Sequence, residues 1–295
     1  PSVLYRVDDS TGALTHVQDI PTSGAADVAA FTVQDTREDG PRGPKPFLVF
    51  ANYYSDAVDR SRACFEAADP VTCSPPVVLY GWNFAPGAQR FEERQIIDDV
   101  AYASSVDVLE HAGKVYLVIS SARGLGEVAV YLWVQGSFRV DERNGPLYKW
   151  DPGQTFGWVP AFFDDLVQKL PSTTAVDTHL FVADGDPRVM LAVANFRDGA
   201  NTIVPVDLYT WDATACADRR IDGCFVHVMQ LPAVGAMSVA TFSTPTGPLG
   251  APRHYVVVGN SFEGRGGATV PSNHEVNSYV YEVDLEAHTH ALVQA

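Results

Sequence analysis

Along this chain short apolar runs alternate with polar turns, and apolar residues almost never recur at helical spacing. Runs rich in β-branched and aromatic residues, such as residues 47–51 and 115–119, have strand length and end at Gly, Pro, Asp or Asn. Only residues 164–170 offer a competing helical turn, and that stretch is short. The pattern predicts an all-β protein. No window approaches the ~18 consecutive apolar residues that a membrane-spanning helix needs.

The runs also repeat in a fixed order. A small-residue turn leads into a first run, as in Gly24-Ala25-Ala26-Asp27-Val28. A second, more continuously apolar run ends in a polar turn, as in Phe47-Leu48-Val49-Phe50-Ala51-Asn52. A third carries an aromatic pair, as in Leu79-Tyr80-Gly81-Trp82. A fourth starts with Phe and ends on Gln and aliphatics, as in Phe91 to Ile97. The quartet spans residues 24–97 and returns over 104–170, 174–231 and 235–295; residues 1–20 supply a further third-and-fourth pair.

Four strands per repeat is the sequence signature of a β-propeller blade. One blade cannot bury both of its faces, so neighbours must stack. The chain is therefore expected to cover about four and a half blades of one propeller domain, with a long insertion over 135–160. A half blade leaves open edges. The favoured expectation is a segment whose remaining blades lie outside these residues; a five-bladed ring with one thin blade is the alternative. The start at Pro1, without an initiator Met or leader, is read the same way, as a processed end or the interior of a longer polypeptide.

The strings VLYRV, THVQDIPTSGAADVAAFTV, PFLVFANYYS, VVLYGW and RFEERQIIDDVAYASSVDVLE resemble epilepsy-associated (EAR, or EPTP) repeats. The resemblance runs through Leu-Tyr-x-Trp, Phe-x-x-x-Gln-x-Ile-Pro, Gly-Ala-x-Asp and apolar-Val-Ala-Asn-Tyr, and it extends over nearly the whole chain. Such repeats occur in secreted leucine-rich glioma-inactivated and thrombospondin-like proteins and in adhesion receptors. The resemblance implies a propeller, usually seven-bladed, that serves as an extracellular protein-binding platform. Val7 and Val283 depart from the pattern, standing where it has Trp.

The four cysteines form two close pairs, Cys64/Cys73 and Cys216/Cys224, without the C-x-x-C spacing of zinc or redox sites. Two local disulfides are the simplest reading, and they imply an oxidising, secreted or cell-surface setting. The net charge of −16 argues against nucleic acid and anionic membranes as partners. No N-x-[ST] sequon, phosphate-binding Gly loop, nucleophile elbow or zincin motif is present, and no cofactor is expected.

Function is therefore expected on rim loops, where binding residues concentrate. Arg60 and Arg62 lie in the insertion that carries the first cysteine pair. Tyr148, Trp150, Phe156 and Trp158 lie in the longest insertion, an aromatic-rich segment suited to the centre of a protein interface. The expectation is a non-enzymatic extracellular binding or adhesion module with a protein partner, which includes other subunits of an extracellular assembly; a structural building block of an extracellular filament or matrix is the alternative. A propeller glycosidase or lyase is the further alternative, and it needs paired carboxylates. Asp27, Asp107 and Asp177 fall at equivalent first-run positions, where turn capping or channel lining is the ordinary role. His288 and His290 alternate on an expected strand but lack a third metal ligand nearby. Asp8 and the Asp184-Gly185-Asp186 turn are oxygen-rich without matching a calcium loop.

Overall fold

The structure is a computed structural model, and it describes residues 1–35, 43–53, 74–98, 100–122, 127–133, 148–150, 158–160, 165–216, 223–244, 252–261 and 276–295. Every regular element among them is a strand, so none is a helix long and apolar enough to cross a membrane.

Strands β1 (Ser2–Val7) and β2 (Leu14–Ile20) form a two-stranded sheet. Next comes a four-stranded sheet of β3 (Ala25–Asp35), β4 (Gly43–Asn52), β5 (Val77–Asn83) and β6 (Arg90–Ile97). The following sheet takes β7 (Ala103–His111), β8 (Lys114–Ser121) and β9 (Glu127–Leu132). A separate hairpin of β10 (Tyr148–Trp150) and β11 (Trp158–Pro160) intervenes before β12 (Asp165–Pro171) completes that sheet beside β9. Of the stretch with competing helical character, residues 165–170 are strand. Two more four-stranded sheets follow: β13 (Ala175–Val182), β14 (Val189–Asn195), β15 (Val206–Asp212) and β16 (Cys224–Leu231), then β17 (Ala236–Thr244), β18 (Arg253–Asn260), β19 (Tyr279–Asp284) and β20 (Thr289–Gln294). Within each sheet, sequence neighbours pair, and the described registers are antiparallel.

The repeat is visible in the irregularities of the ladders. Between third and fourth strands the register slips at one recurrent step: Leu4/Tyr5, Leu79/Tyr80, Leu208/Tyr209 and Val280/Tyr281. Between first and second strands it slips at Ala25/Asp27, Ala175/Asp177 and Ala236/Ser238. Such bulges turn a strand and raise its local twist. Asp27, Asp107 and Asp177 each accept the N–H of the next residue through Oδ1, at 2.8, 2.8 and 2.9 Å.

A second recurrent device closes the entrance of three of the four-stranded sheets. The N–H groups of Tyr53, Phe196 and Ser261, just past the second strand, donate to the carbonyls of Gly24, Thr174 and Gly235. Gly24 and Gly235 hold φ near +53° and +56°, where a side chain is disfavoured. The neighbouring Asn52, Asn195 and Asn260 each tie the segment before the first strand to the one before the third through their side-chain amides.

The chain divides into two compact units: residues Pro1–Ala103 with Tyr131–Leu166, and Ser104–Val130 with Val167–Ala295. In the first unit Ile20, Phe50, Val78, Tyr80 and Phe91 form a core that joins the two-stranded sheet to the first four-stranded one. In the second, Met190, Ala192, Leu208 and Leu231 pack with Val239, Val256, Val258 and Tyr281. All seven residues of β14 are buried, as expected for a strand covered on both faces. Burying a large apolar side chain contributes about 1.5–3 kcal/mol.

The motif letters act between sheets. The Gln18 amide donates to the Phe91 carbonyl at 2.7 Å and accepts the Phe91 N–H at 2.8 Å. Gln168 does the same to Phe225. The Tyr80 hydroxyl donates to the Pro21 carbonyl, and that of Tyr281 to the Pro232 carbonyl. The Leu-Tyr and Gln-x-Ile-Pro strings are therefore two halves of one inter-sheet contact.

Candidate functional site

Two cavities lie in the second unit. A wide groove of about 1010 Å³ is lined by the β13–β14 turn (Asp184, Asp186, Arg188), the start of β18 (Arg253, His254) and the β19–β20 hairpin (Glu282, Asp284, Glu286, His290). A smaller cavity of about 270 Å³ is lined by His179 and Phe181 of β13, by Phe242 and Ser243 of β17, and by His254 and Tyr255 of β18. Asp184, His254 and Val283 line both.

The antiparallel register places Ser243 directly opposite His254. Ser243 Oγ and His254 Nδ1 are 2.9 Å apart. Nε2 of that ring has no hydrogen-bond partner among the described residues. An imidazole fixed through one nitrogen and open at the other is the geometry of a proton carrier.

Two ion pairs stiffen the groove wall. Arg188 Nε donates to both oxygens of Asp186, at 2.9 and 3.0 Å, and its Nη2 reaches Asp186 and the Leu285 carbonyl. The Arg188 hydrogen bond holds the Asp186 carboxyl below its ordinary range against the opposing effect of burial. The Arg188 N–H and the charges of Arg188 and His254 add to the lowering. Arg253 Nη1 lies 3.2 Å from Glu282 Oε2. On the apolar side, Phe242 stacks on Tyr255 at 4.9 Å and remains half exposed. His179 stacks on Phe181, with Nδ1 3.4 Å from Asp107 Oδ2.

Two of the first-strand acids, Asp107 and Asp177, are clasps between sheets. Asp107 Oδ2 accepts the Leu180 N–H at 2.6 Å, and Asp177 Oδ2 accepts the Val239 N–H at 2.9 Å, each from the following sheet. Ser105 Oγ also donates to Asp177, at 3.1 Å. Each carboxylate is thus committed to backbone donors across a sheet-to-sheet contact.

Of the residues singled out from sequence, Arg60, Arg62, Cys64, Cys73 and Phe156 lie outside the described residues. Tyr148, Trp150 and Trp158 fall on the β10–β11 hairpin, where Trp150 pairs with Trp158 and Tyr148 with Pro160 in backbone register. Cys216 and Cys224 form a disulfide, as expected. His288 and His290 do not alternate on one strand: His288 sits in the β19–β20 turn with φ near +54°, and His290 packs on the Tyr281 ring. No cluster of three or more metal-type ligands occurs among the described residues. The Asp184–Asp186 turn binds Arg188 rather than serving as an oxygen cage. The Ser243–His254 pair was missed because its two members are separated by an insertion that hides their register.

No family model matches the chain, and no curated protein matches it. Among solved structures it is similar to one from Bacteroides uniformis ATCC 8492, with 12% identity, 99% of this chain and 77% of that chain covered, and a TM-score of 0.41. A second, from Bacteroides fragilis NCTC 9343, shows 11% identity, 99% and 89% coverage and a TM-score of 0.32. Both are named "putative 6-phosphogluconolactonase". This finding corrects two expectations, the extracellular adhesion or assembly module and the absence of enzymatic activity: the solved structures that align along almost the whole chain carry enzyme names. At these scores the likeness transfers no substrate and no residue role.

Proposed function

We propose that the four-stranded sheets are blades of a β-propeller, and that the second unit holds an acid–base site acting on a small, hydroxyl-rich, carbohydrate-derived substrate. The recurrent bulges and inter-sheet clasps support the blade reading. The Ser243–His254 hydrogen bond at the junction of two cavities carries the functional one.

His254 Nε2 would take a proton from an attacking water and return it to the leaving oxygen, which is hydrolysis by general base and then general acid. Ser243 Oγ holds the ring in place at Nδ1. The paired guanidinium and carboxylate groups of the wall offer planar donors and acceptors to sugar hydroxyls, and Phe242 offers an apolar face. A two-carboxylate glycosidase fits less well. It needs one carboxyl held protonated, whereas Asp186 in the groove is shifted in the opposite direction.

The Cys216–Cys224 disulfide supports a role in an oxidising compartment.

The test is turnover of a panel of sugar lactones, sugar esters and glycosides by the purified chain. Hydrolysis of a panel member should fall at least ~100-fold in H254A, with kcat carrying the loss, and by a smaller factor in S243A. Turnover that is unchanged in H254A, or absent across the panel, overturns the assignment.

A further inference from the structure

The wide groove of the second unit holds more carboxylates than cations. Asp184, Asp186, Glu282, Asp284 and Glu286 line it, against Arg188 and Arg253. His254 and His290 are the other titratable groups of its described lining.

Both guanidiniums are already matched. Arg188 spends Nε on the two oxygens of Asp186, and Nη2 on Asp186 and the Leu285 carbonyl. Asp186 through its hydrogen bond, and then Glu286 through its charge, favour the charged guanidinium against desolvation. Arg253 Nη1 donates to Glu282 Oε2 at 3.2 Å. One-to-one pairing therefore leaves Asp184, Asp284 and Glu286 without a cation of their own. Asp284 Oδ1 accepts the N–H groups of Glu286 and Ala287, at 3.0 and 2.8 Å, which brings it no countercharge. Asp184 has no side-chain hydrogen bond or ion pair among the described residues, and it also lines the smaller cavity with Ser243 and His254. Residues 245–251, which lead into β18, bring no ionisable side chain.

A phosphate carries about −1.5 to −2 charges at neutral pH. It is bound by unmatched donors such as a bidentate guanidinium or a nest of backbone N–H groups, and here it would meet unmatched carboxylates. A sugar hydroxyl instead donates to a carboxylate, and an ammonium forms an ion pair with it.

We infer that the groove takes a sugar without phosphate, either uncharged or carrying an amine, and rejects its phosphorylated counterpart. This rests on the reading of the groove as the substrate site and adds the charge of the substrate to it. Like-charge repulsion from the surplus carboxylates, screened at physiological salt, should cost a phosphate at least ~10-fold in affinity.

The test titrates the 295-residue chain at neutral pH with methyl glucoside, glucosamine and glucose 6-phosphate, which share a ring and differ in charge. Binding is read from the imidazole C–H resonances of His254 and His290, assigned with H254A and H290A. Methyl glucoside and glucosamine should bind at least ~10-fold more tightly than glucose 6-phosphate. That ratio should shrink as salt rises from about 0.1 M to about 1 M and the screening length falls from about 10 Å to about 3 Å. It should shrink likewise in D184N/E286Q, where both replaced side chains are exposed and the fold is kept. Three outcomes overturn the inference: glucose 6-phosphate as the tightest probe; a ratio indifferent both to salt and to D184N/E286Q; or no binding by any of the three. The expected order of affinities without turnover of any panel member would sustain this inference and remove the acid–base reading. Turnover that prefers phosphorylated lactones to the free ones would do the reverse.

Discussion

Gln168 grips Phe225 by both ends of its side-chain amide, donating to the carbonyl at 2.9 Å and accepting the N–H at 2.8 Å. A side chain that satisfies both backbone groups of one residue does the work of a sheet ladder between two strands that are not paired. It therefore fixes how one sheet is seated on the next, more than it holds either sheet together.

Removing the grip should loosen seating without melting single sheets. In Q168A both Phe225 groups lose their partners, at about 1–3 kcal/mol of stability. Q168E keeps the acceptor, loses the donor and should fall between wild type and Q168A. Chemical denaturation of the three proteins checks the order; equal stability of Q168A and wild type contradicts it.

Asp177 joins three sheets, through Ser105 on one side, its own Thr178 N–H, and Val239 on the other. D177A leaves the N–H of the buried Val239 without this acceptor, a loss of about 1–3 kcal/mol. Because the carboxylate is a clasp, any measured turnover should survive in the folded fraction of D177A. A loss of kcat at full folding would return this acid to the catalytic candidates.

Alkaline behaviour should expose the buried tyrosines. Burial, with a smaller contribution from Tyr279, pushes Tyr281 up to about 12, and burial with the Asp207 charge does the same to Tyr209. A phenol whose folded pKa lies above its unfolded value of about 10 contributes stability in full below pH ~10, and that contribution drains away as pH rises toward 12. Near-ultraviolet titration should show an exposed class ionising first and a late class coincident with unfolding. Y281F should lose the Pro232 hydrogen bond and shrink the late class; a single early class contradicts the assignment.

At acid pH the informative group is Asp8. Hydrogen bonds from Ser10 and Thr11 hold its carboxyl down to about 2. A depressed carboxyl contributes stability above its ordinary pKa near 4, and the contribution disappears as pH falls through about 2. D8N should speed amide exchange at Ser10 and Thr11 at neutral pH and match wild type near pH 2. The global melting temperature should hardly move, since the turn is exposed.

The all-β class, the quartet order and the Cys216–Cys224 bridge were legible because each is written locally, in run length, turn residues and spacing. The insertion that became the β10–β11 hairpin was legible as an interruption. The purpose of the motif letters was less so. Tyr80 and Pro21 lie 59 residues apart, and Gln18 and Phe91 lie 73 apart. Periodicity shows that such letters recur without showing that they meet. Asp107 and Asp177 were placed as equivalent, but their acceptor role depends on a neighbouring sheet that no local pattern describes. Ser243 and His254 meet only through strand register, which a loop of unspecified geometry does not fix. His288 was misplaced for the converse reason: a turn with positive φ interrupted the alternation that sequence suggested.

The slip at the Leu–Tyr step has a practical corollary. Each outer strand changes phase there, so residues before and after the step face opposite ways relative to an unbroken ladder. Losing a single residue on either side would rotate the gripping Gln away from its target, whereas exchanging a complete quartet for another would leave the phase intact. Evolution and protein engineers can therefore trade this architecture in whole repeats, with cuts at matching steps such as Leu79 and Leu208, but not in arbitrary lengths.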